Sequence, residues 1–202
     1  MIPKVEFRYS WVYDDKYRDS PLMKRFLKKN KQKYPSEKII IDYTQRIEKI
    51  WKKEGNKVLK ELSNISGLKW RENKIICYVI GRGRPFSDPL TIPVYQRDLS
   101  WFIDVLTHEL IHQLLTQEGN LEKSEKSWDY VYKKYKKDPR KAKIHVIVHA
   151  IHSSIYLKFF GKKRLGRNIK IMKKYKDYKR SWDIVQEEGY QQIINDFRKR
   201  LK

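Results

Sequence analysis

The sequence predicts an α+β fold, with a small and mostly antiparallel sheet packed on several helices. Short segments of alternating or continuous apolar residues in the first half are typical of strands, whereas the second half repeats its apolar residues at helical spacing. The chain has 202 residues, no internal repeat and no linker rich in proline, glycine or serine. We therefore expect a single domain over residues 1–202, with a substantial core.

Four segments are predicted to be extended. Residues 5–13 alternate polar and apolar side chains, residues 74–80 form a strongly apolar run, and residues 68–71 give a weaker signal. Residues 89–95 contain Pro93, which lacks a backbone donor and so predicts a strand at the sheet edge. That edge is either a plain sheet border or a place where an extended peptide adds as a strand.

Two helices are predicted in the first half. A short basic helix covers residues 21–30, and a long helix runs from Pro35-Ser36-Glu37 to about Leu62. The Gly55-Asn56 pair is a candidate break in the long helix.

The most regular helix of the second half covers residues 100–117. Ser100 is a candidate N-cap and Gly119 a candidate residue after the C-cap. An apolar stripe at helical spacing predicts the buried face; it consists of Ile103, Leu106, Leu110, Ile111 and Leu114.

Further helices are predicted downstream. A lysine-rich helix over 120–142 should end near Asp138-Pro139. Residues 143–160 are apolar nearly all round and predict a central helix. Residues 162–167 are interpreted as a basic connector, and Ser181 as the cap of a final helix.

The helix at 100–117 contains the sequence His108-Glu109-Leu110-Ile111-His112. Positions i and i+4 of a helix lie about 40° apart, one turn above each other, so His108 and His112 can hold one zinc ion from the same side. Glu109 lies about 100° round from His108, where it reaches a metal-bound water without being forced to ligate. This arrangement predicts two ligands and a general base.

The remaining histidines of the chain are His145, His149 and His152, and all three are predicted to lie within about 60° on the central helix, with Tyr156 on the same stripe. His149, in the middle, is the predicted third ligand. His145 and His152 are then groups beside the metal or transition state. A carboxylate third ligand from Glu118, Glu122, Glu187 or Glu188 stays open, as does a purely structural role for the three histidines.

The His108–His112 motif on a helix, followed by a downstream ligand on a second helix, resembles the zincin clan of metallopeptidases. The resemblance implies zinc ligation by His108 and His112 and a general-base role for Glu109. The metzincin extension is absent, because Leu115 and Glu118 stand where glycine and histidine are required. Residues 143–160 also lack the glutamate of a thermolysin-like pattern. The layout is similar to a small intracellular zincin.

The predicted function is therefore zinc-dependent hydrolysis of peptide bonds in a peptide or protein substrate, with Zn²⁺ as the cofactor. The tetrahedral oxyanion requires a hydrogen-bond donor, for which Tyr156, His152 and His145 are candidates. Two alternatives stay open. One is a nucleic-acid-associated protease that cleaves DNA- or RNA-bound proteins, and the other is a non-catalytic interaction module stabilised by zinc.

Composition sets the expected surroundings of the protein. The 47 lysines and arginines outnumber the 24 acidic residues, giving a net charge of +23 that favours polyanions. Because lysine is spread through nearly every segment, nucleic acid is not the favoured partner. The single cysteine, Cys77, excludes an internal disulfide and is expected to be a buried strand residue. No apolar leader or membrane-length run is present, so we expect a cytoplasmic protein without a membrane partner.

Overall fold

The computed structural model describes residues 1–95 and 98–202, and in these ranges the fold is α+β. Contacts group these residues into two compact units, each of them discontinuous in sequence. The first unit consists of Met1–Lys57 and Glu72–Gln113, and the second of Val58–Arg71 and Leu114–Lys202. A single domain over residues 1–202 stays a prediction.

The first unit contains all four strands of the described chain. The strands are β1 (Lys4–Arg8), β2 (Lys74–Ile80), β3 (Phe86–Ser87) and β4 (Leu90–Pro93). Its helices are α1 (Trp11–Arg18), α2 (Pro21–Lys29), the first part of α3 (Glu37–Ser66) and most of α4 (Leu99–Thr116). The core includes a cluster of rings in which Phe7 of β1 contacts Trp51 of α3 and Phe102 of α4.

The four strands form one mixed sheet in the order β1-β2-β4-β3. β1 pairs with β2 and β2 with β4 in parallel, and only β3 and β4 are antiparallel. The predicted mostly antiparallel sheet was therefore wrong. The chain passes through α1, α2 and α3 between β1 and β2, and parallel pairing requires a crossover connection of this kind.

The prediction that residues 89–95 form a sheet edge was also wrong, because β4 lies between β2 and β3. Pro93 is tolerated there because it is the last residue of the strand, opposite Ile80. The next residue, Val94, donates its backbone N–H to the carbonyl of Ile80 at 2.8 Å. Because β4 has β2 on one side and β3 on the other, it is not the edge strand to which a peptide would add.

Several boundaries differ from the sequence predictions. The predicted strand at 5–13 ends at Arg8, and α1 begins at Trp11; residues 68–71 form no strand. The predictions for 74–80 and 21–30 are confirmed as β2 and α2, and Cys77 is fully buried in β2 as expected. Helix α3 is continuous through Gly55, where a side chain would collide with the Trp51 ring.

A buried carboxylate fixes the loop that follows β2. Asp14 of α1 is fully buried and accepts hydrogen bonds from the Tyr34 hydroxyl and the Gly81 backbone N–H, both at 2.7 Å. It also pairs with Arg18 at 3.1 Å. These donors are satisfied inside the protein by Asp14, so the loop depends on this carboxylate.

We expect Asp14→Ala to lower the free energy of unfolding by about 2–4 kcal/mol, because it leaves buried donors without an acceptor. Asp15→Ala is the matched control, since Asp15 pairs with the same Arg18 at 3.3 Å but its side chain is 37% exposed. We expect Asp15→Ala to lower the free energy of unfolding by less than about 1 kcal/mol. Urea denaturation measures the free energy of unfolding of both variants. Equal losses in the two variants would contradict this role of Asp14.

The second unit is helical in its described residues. It contains α5 (Asn120–Lys134), α6 (Arg140–Ile155), a π-helical turn (Tyr156–Phe160), α7 (Lys162–Met172), α8 (Lys176–Glu188) and α9 (Tyr190–Arg198), together with the end of α3. Helix α6 packs against α8 and α9 and is buried along nearly its whole length, which confirms the predicted central helix. No described helix is long and apolar enough to cross a membrane.

Three predictions for this unit were wrong. Helix α5 ends at Lys134, before the predicted limit at Asp138-Pro139. Residues 162–167 are not a connector but the first half of α7, and Ser181 lies inside α8 instead of capping a final helix. In both cases the helix continues because buried residues on its inner face, such as Asn168 and Trp182, hold it in place.

Candidate metal centre

Helix α4 confirms the predicted helix over 100–117 to within one residue at each end. Its N-terminus is capped by Asp98 and not by Ser100, since the Asp98 carboxylate accepts the Ser100 backbone N–H at 3.0 Å. The predicted apolar stripe is buried, but Asp104, Thr107 and Glu109 are buried as well. The motif therefore lies on a helix that is enclosed on most sides.

The C-terminal end of α4 is held by a buried amide. Asn120 donates from Nδ2 to the carbonyls of Leu114 and Lys69, at 2.8 and 2.9 Å. Gly119, with φ of 73°, makes the turn that brings Asn120 back to the end of the helix. These bonds satisfy a terminal carbonyl of α4 and fix its last turn.

The two histidines of the motif face each other as the spacing predicts. Their Nε2 atoms lie 3.3 Å apart, and the rings meet edge to face with centroids 4.9 Å apart. Two nitrogens that bind one tetrahedral zinc at about 2.0–2.1 Å lie roughly 3.3–3.4 Å from each other. The separation of the His108 and His112 nitrogens thus fits one edge of a zinc tetrahedron.

Glu109 adjoins this pair and is nearly inaccessible to solvent, with 7% of its surface exposed. Burial raises the pKa of the Glu109 carboxyl to about 7. A nearby metal cation would lower that pKa. Glu109 is therefore a buried carboxyl able to exchange a proton near neutral pH.

Helix α6 places the other three histidines in buried positions. The Nδ1 of His145 lies 2.7 Å from the carbonyl of Lys141, so this nitrogen donates and Nε2 keeps its lone pair. Burial lowers the pKa of His145 to about 4, which keeps the imidazole neutral. A neutral imidazole anchored by a carbonyl is the form in which histidine binds metals.

His149 is oriented by α8, which the sequence did not predict. Its Nδ1 lies 3.0 Å from the Ser181 hydroxyl, and its ring stacks on Trp182 with centroids 4.1 Å apart. The Ser181 hydroxyl lies 3.0 Å from the carbonyl of Tyr178, to which it can donate. His149 can then donate from Nδ1 to the Ser181 hydroxyl. This hydrogen bond, together with the stack on Trp182, orients the imidazole ring.

His152 and Tyr156, the predicted transition-state donors, lie against each other with ring centroids 4.5 Å apart. Both are buried, and the Tyr156 hydroxyl accepts a hydrogen bond from the Asn168 amide at 3.1 Å. Asn168 was not singled out from the sequence. The many lysines of α7 obscured its helical pattern. That pattern, once recognised, places Asn168 on the inner face of the helix.

One group of potential metal ligands occurs in the described part of the chain. Its members are His108, His112 and His145. His149, the predicted third ligand, is outside this group. Glu118, Glu122, Glu187 and Glu188, the predicted carboxylate alternatives, are outside it as well.

Comparisons of the chain with protein-family models, curated proteins and solved structures found no match.

Proposed function

We propose that the protein is a zinc-dependent metallopeptidase of the zincin type, and that His108 and His112 supply two of its zinc ligands. The observation that carries this proposal is the 3.3 Å separation of their Nε2 atoms on a buried helix, with Glu109 beside them. The donor set supports zinc in particular, because neutral imidazoles suit Zn²⁺, whereas Mg²⁺ and Ca²⁺ prefer oxygen ligands.

The third ligand in this proposal is His145. Burial keeps its imidazole neutral, and the Lys141 carbonyl holds the tautomer in which Nε2 carries the lone pair that a metal would bind. His149 is the alternative predicted from the sequence. The two histidines are one helical turn apart, so substitution distinguishes them directly.

Bound Zn²⁺ would supply Lewis acidity, which lowers the pKa of water and polarises a scissile carbonyl. Glu109 then removes a proton from water as the water oxygen bonds to the carbonyl carbon. When the carbon–nitrogen bond breaks, Glu109 delivers this proton to the leaving nitrogen, and the products are a carboxylic acid and an amine. Tyr156 and His152 are the proposed donors to the oxyanion.

Metal removal tests the proposal. A chelator that strips zinc should abolish cleavage of a peptide library, and one equivalent of Zn²⁺ should restore it, because the chain's own residues supply no substitute for the Lewis acid. Excess Mg²⁺ is the control and should restore nothing. Cleavage that persists in protein shown by elemental analysis to lack zinc would contradict the peptidase mechanism. Bound zinc with no cleavage would favour the interaction module.

A further inference from the structure

The stretch over residues 161–176, which includes α7, contains no acidic residue, as is also true of residues 20–36. Eight lysines and arginines occur in it. In α3, by contrast, lysines alternate with glutamates and form ion pairs such as Lys52–Glu48 and Lys57–Glu54. The positive charge of this stretch is therefore not offset by carboxylates within it.

Helix α7 gathers three of these lysines on one side. Lys162, Lys163 and Lys170 fall within an arc of about 100° and are exposed. The opposite side holds the buried Asn168, which binds Tyr156. None of the three lysines forms an ion pair with a described residue of the chain, and we call this surface the α7 lysine face.

Gly166 lies in the middle of the α7 lysine face. A Cβ atom at this position would meet no atom within 4 Å, so the space next to the helix backbone is open. The face runs about 12 Å from Lys162 to Lys170, and one strand of a duplex carries about three to four phosphates over that length of the helix axis. A glycine flanked by lysines lets a phosphate backbone approach the helix without a steric barrier.

We propose that the α7 lysine face binds the phosphate backbone of a nucleic acid. The partner is a polyanion in water and not a membrane, because the face presents lysines and a glycine without exposed apolar side chains. Helix α2 is the contrasting case, since Leu22 and Phe26 are exposed there beside its lysines. Binding through lysine alone contacts phosphates and does not select a base sequence.

The sequence did not favour this partner, because the lysines appear dispersed along the chain and residues 162–167 were interpreted as a connector. The helix changes that conclusion, since it brings Lys162, Lys163 and Lys170 to one face. This inference is independent of the metal centre and of peptide cleavage.

A charge-matched pair of triple variants tests the proposal. The first is Lys162→Gln, Lys163→Gln and Lys170→Gln; the control is Lys28→Gln, Lys29→Gln and Lys33→Gln, which removes the same charge from exposed lysines in and after α2. Fluorescence anisotropy with a labelled duplex and a single strand, between about 50 and 200 mM salt, gives affinity and its salt dependence. We expect the α7 variant to lose at least about 10-fold in affinity and two to three units of log–log slope.

The control should lose less than about 3-fold, as a general decrease in net charge predicts. Equal losses in the two variants would overturn the proposal and assign binding to diffuse charge. A parent protein that binds neither nucleic acid at about 50 mM salt, or that binds only vesicles containing phosphatidylserine, would overturn it as well.

Gly166→Glu provides a variant that does not depend on removing lysines. Because glutamate is a better helix former than glycine and a Cβ atom at this position meets no atom within 4 Å, folding should be retained, which circular dichroism checks. The added carboxylate should repel phosphates, and we expect a loss of about 5-fold or more in affinity. A folded Gly166→Glu variant that binds as tightly as the parent would exclude the α7 lysine face.

Discussion

Replacing Glu109 with glutamine is expected to lower peptide cleavage by about 100-fold or more while zinc stays at one ion per chain. Glutamine keeps the size of the side chain and can still form hydrogen bonds, but it cannot take a proton from water. The carboxyl is nearly buried, so no solvent-exposed group replaces it easily. Single-turnover cleavage of a peptide found in the library digest, together with elemental analysis, measures both quantities.

Glu118→Gln is the matched control for this substitution. Glu118 lies just beyond the end of α4 and is exposed, so the same chemical change there should leave cleavage within about 2-fold of the parent. A Glu109→Gln protein that cleaves as fast as the parent would exclude Glu109 as the base. A protein that also loses its zinc would show that Glu109 holds the site together.

Loss of a histidine ligand is expected to have the second large effect. His108→Ala and His145→Ala should each weaken zinc binding by more than about 100-fold, because a missing ligand costs more than a missing outer-shell partner. His149→Ala should retain zinc in this account, since Ser181 and Trp182 hold His149 for packing. Competition with a chromophoric chelator gives the three affinities.

His152→Ala is the control for general damage to α6, because His152 is a buried histidine of the same helix. If His149→Ala loses zinc and His145→Ala keeps it, the third ligand is the one predicted from the sequence. If His108→Ala keeps zinc at full affinity, no metal centre exists at this motif. Thermal unfolding of each variant separates loss of zinc from loss of fold.

The part of the site predicted from the sequence is the part that helix geometry alone determines. A spacing of four residues places two side chains one turn apart in any α-helix, so the facing rings of His108 and His112 follow from their positions. Helix α4 was predicted to within one residue at each end because a long apolar pattern at helical spacing has few alternatives, whereas α3 runs to Ser66, past the predicted end at about Leu62.

The third ligand could not be chosen in this way. His145, His149 and His152 share one stripe of α6, and their spacing gives each of them a similar direction. What distinguishes them is their contacts, the Lys141 carbonyl for His145 and the Ser181 hydroxyl for His149. The second of these contacts comes from another helix, distant in sequence.

The errors in the sheet have a related cause. Local patterns identified the segments that became β2 and β4, but strand direction and order depend on where the connections lead. Pro93 indicated an edge because an interior proline loses a hydrogen bond, yet at the last residue of β4 no further bond is required. Residues 162–167 were not recognised as a helix for a different reason, because their many lysines and arginines obscure the helical pattern.

An anomalous diffraction map recorded at the zinc absorption edge tests the metal centre most directly. We expect one peak, bound by Nε2 of His108, His112 and His145, with a fourth position held by a non-protein ligand as in catalytic zinc sites. A peak bound by four protein side chains would contradict the catalytic account and indicate a structural site. A zinc-loaded crystal with no peak at His108 and His112 would contradict the metal centre itself.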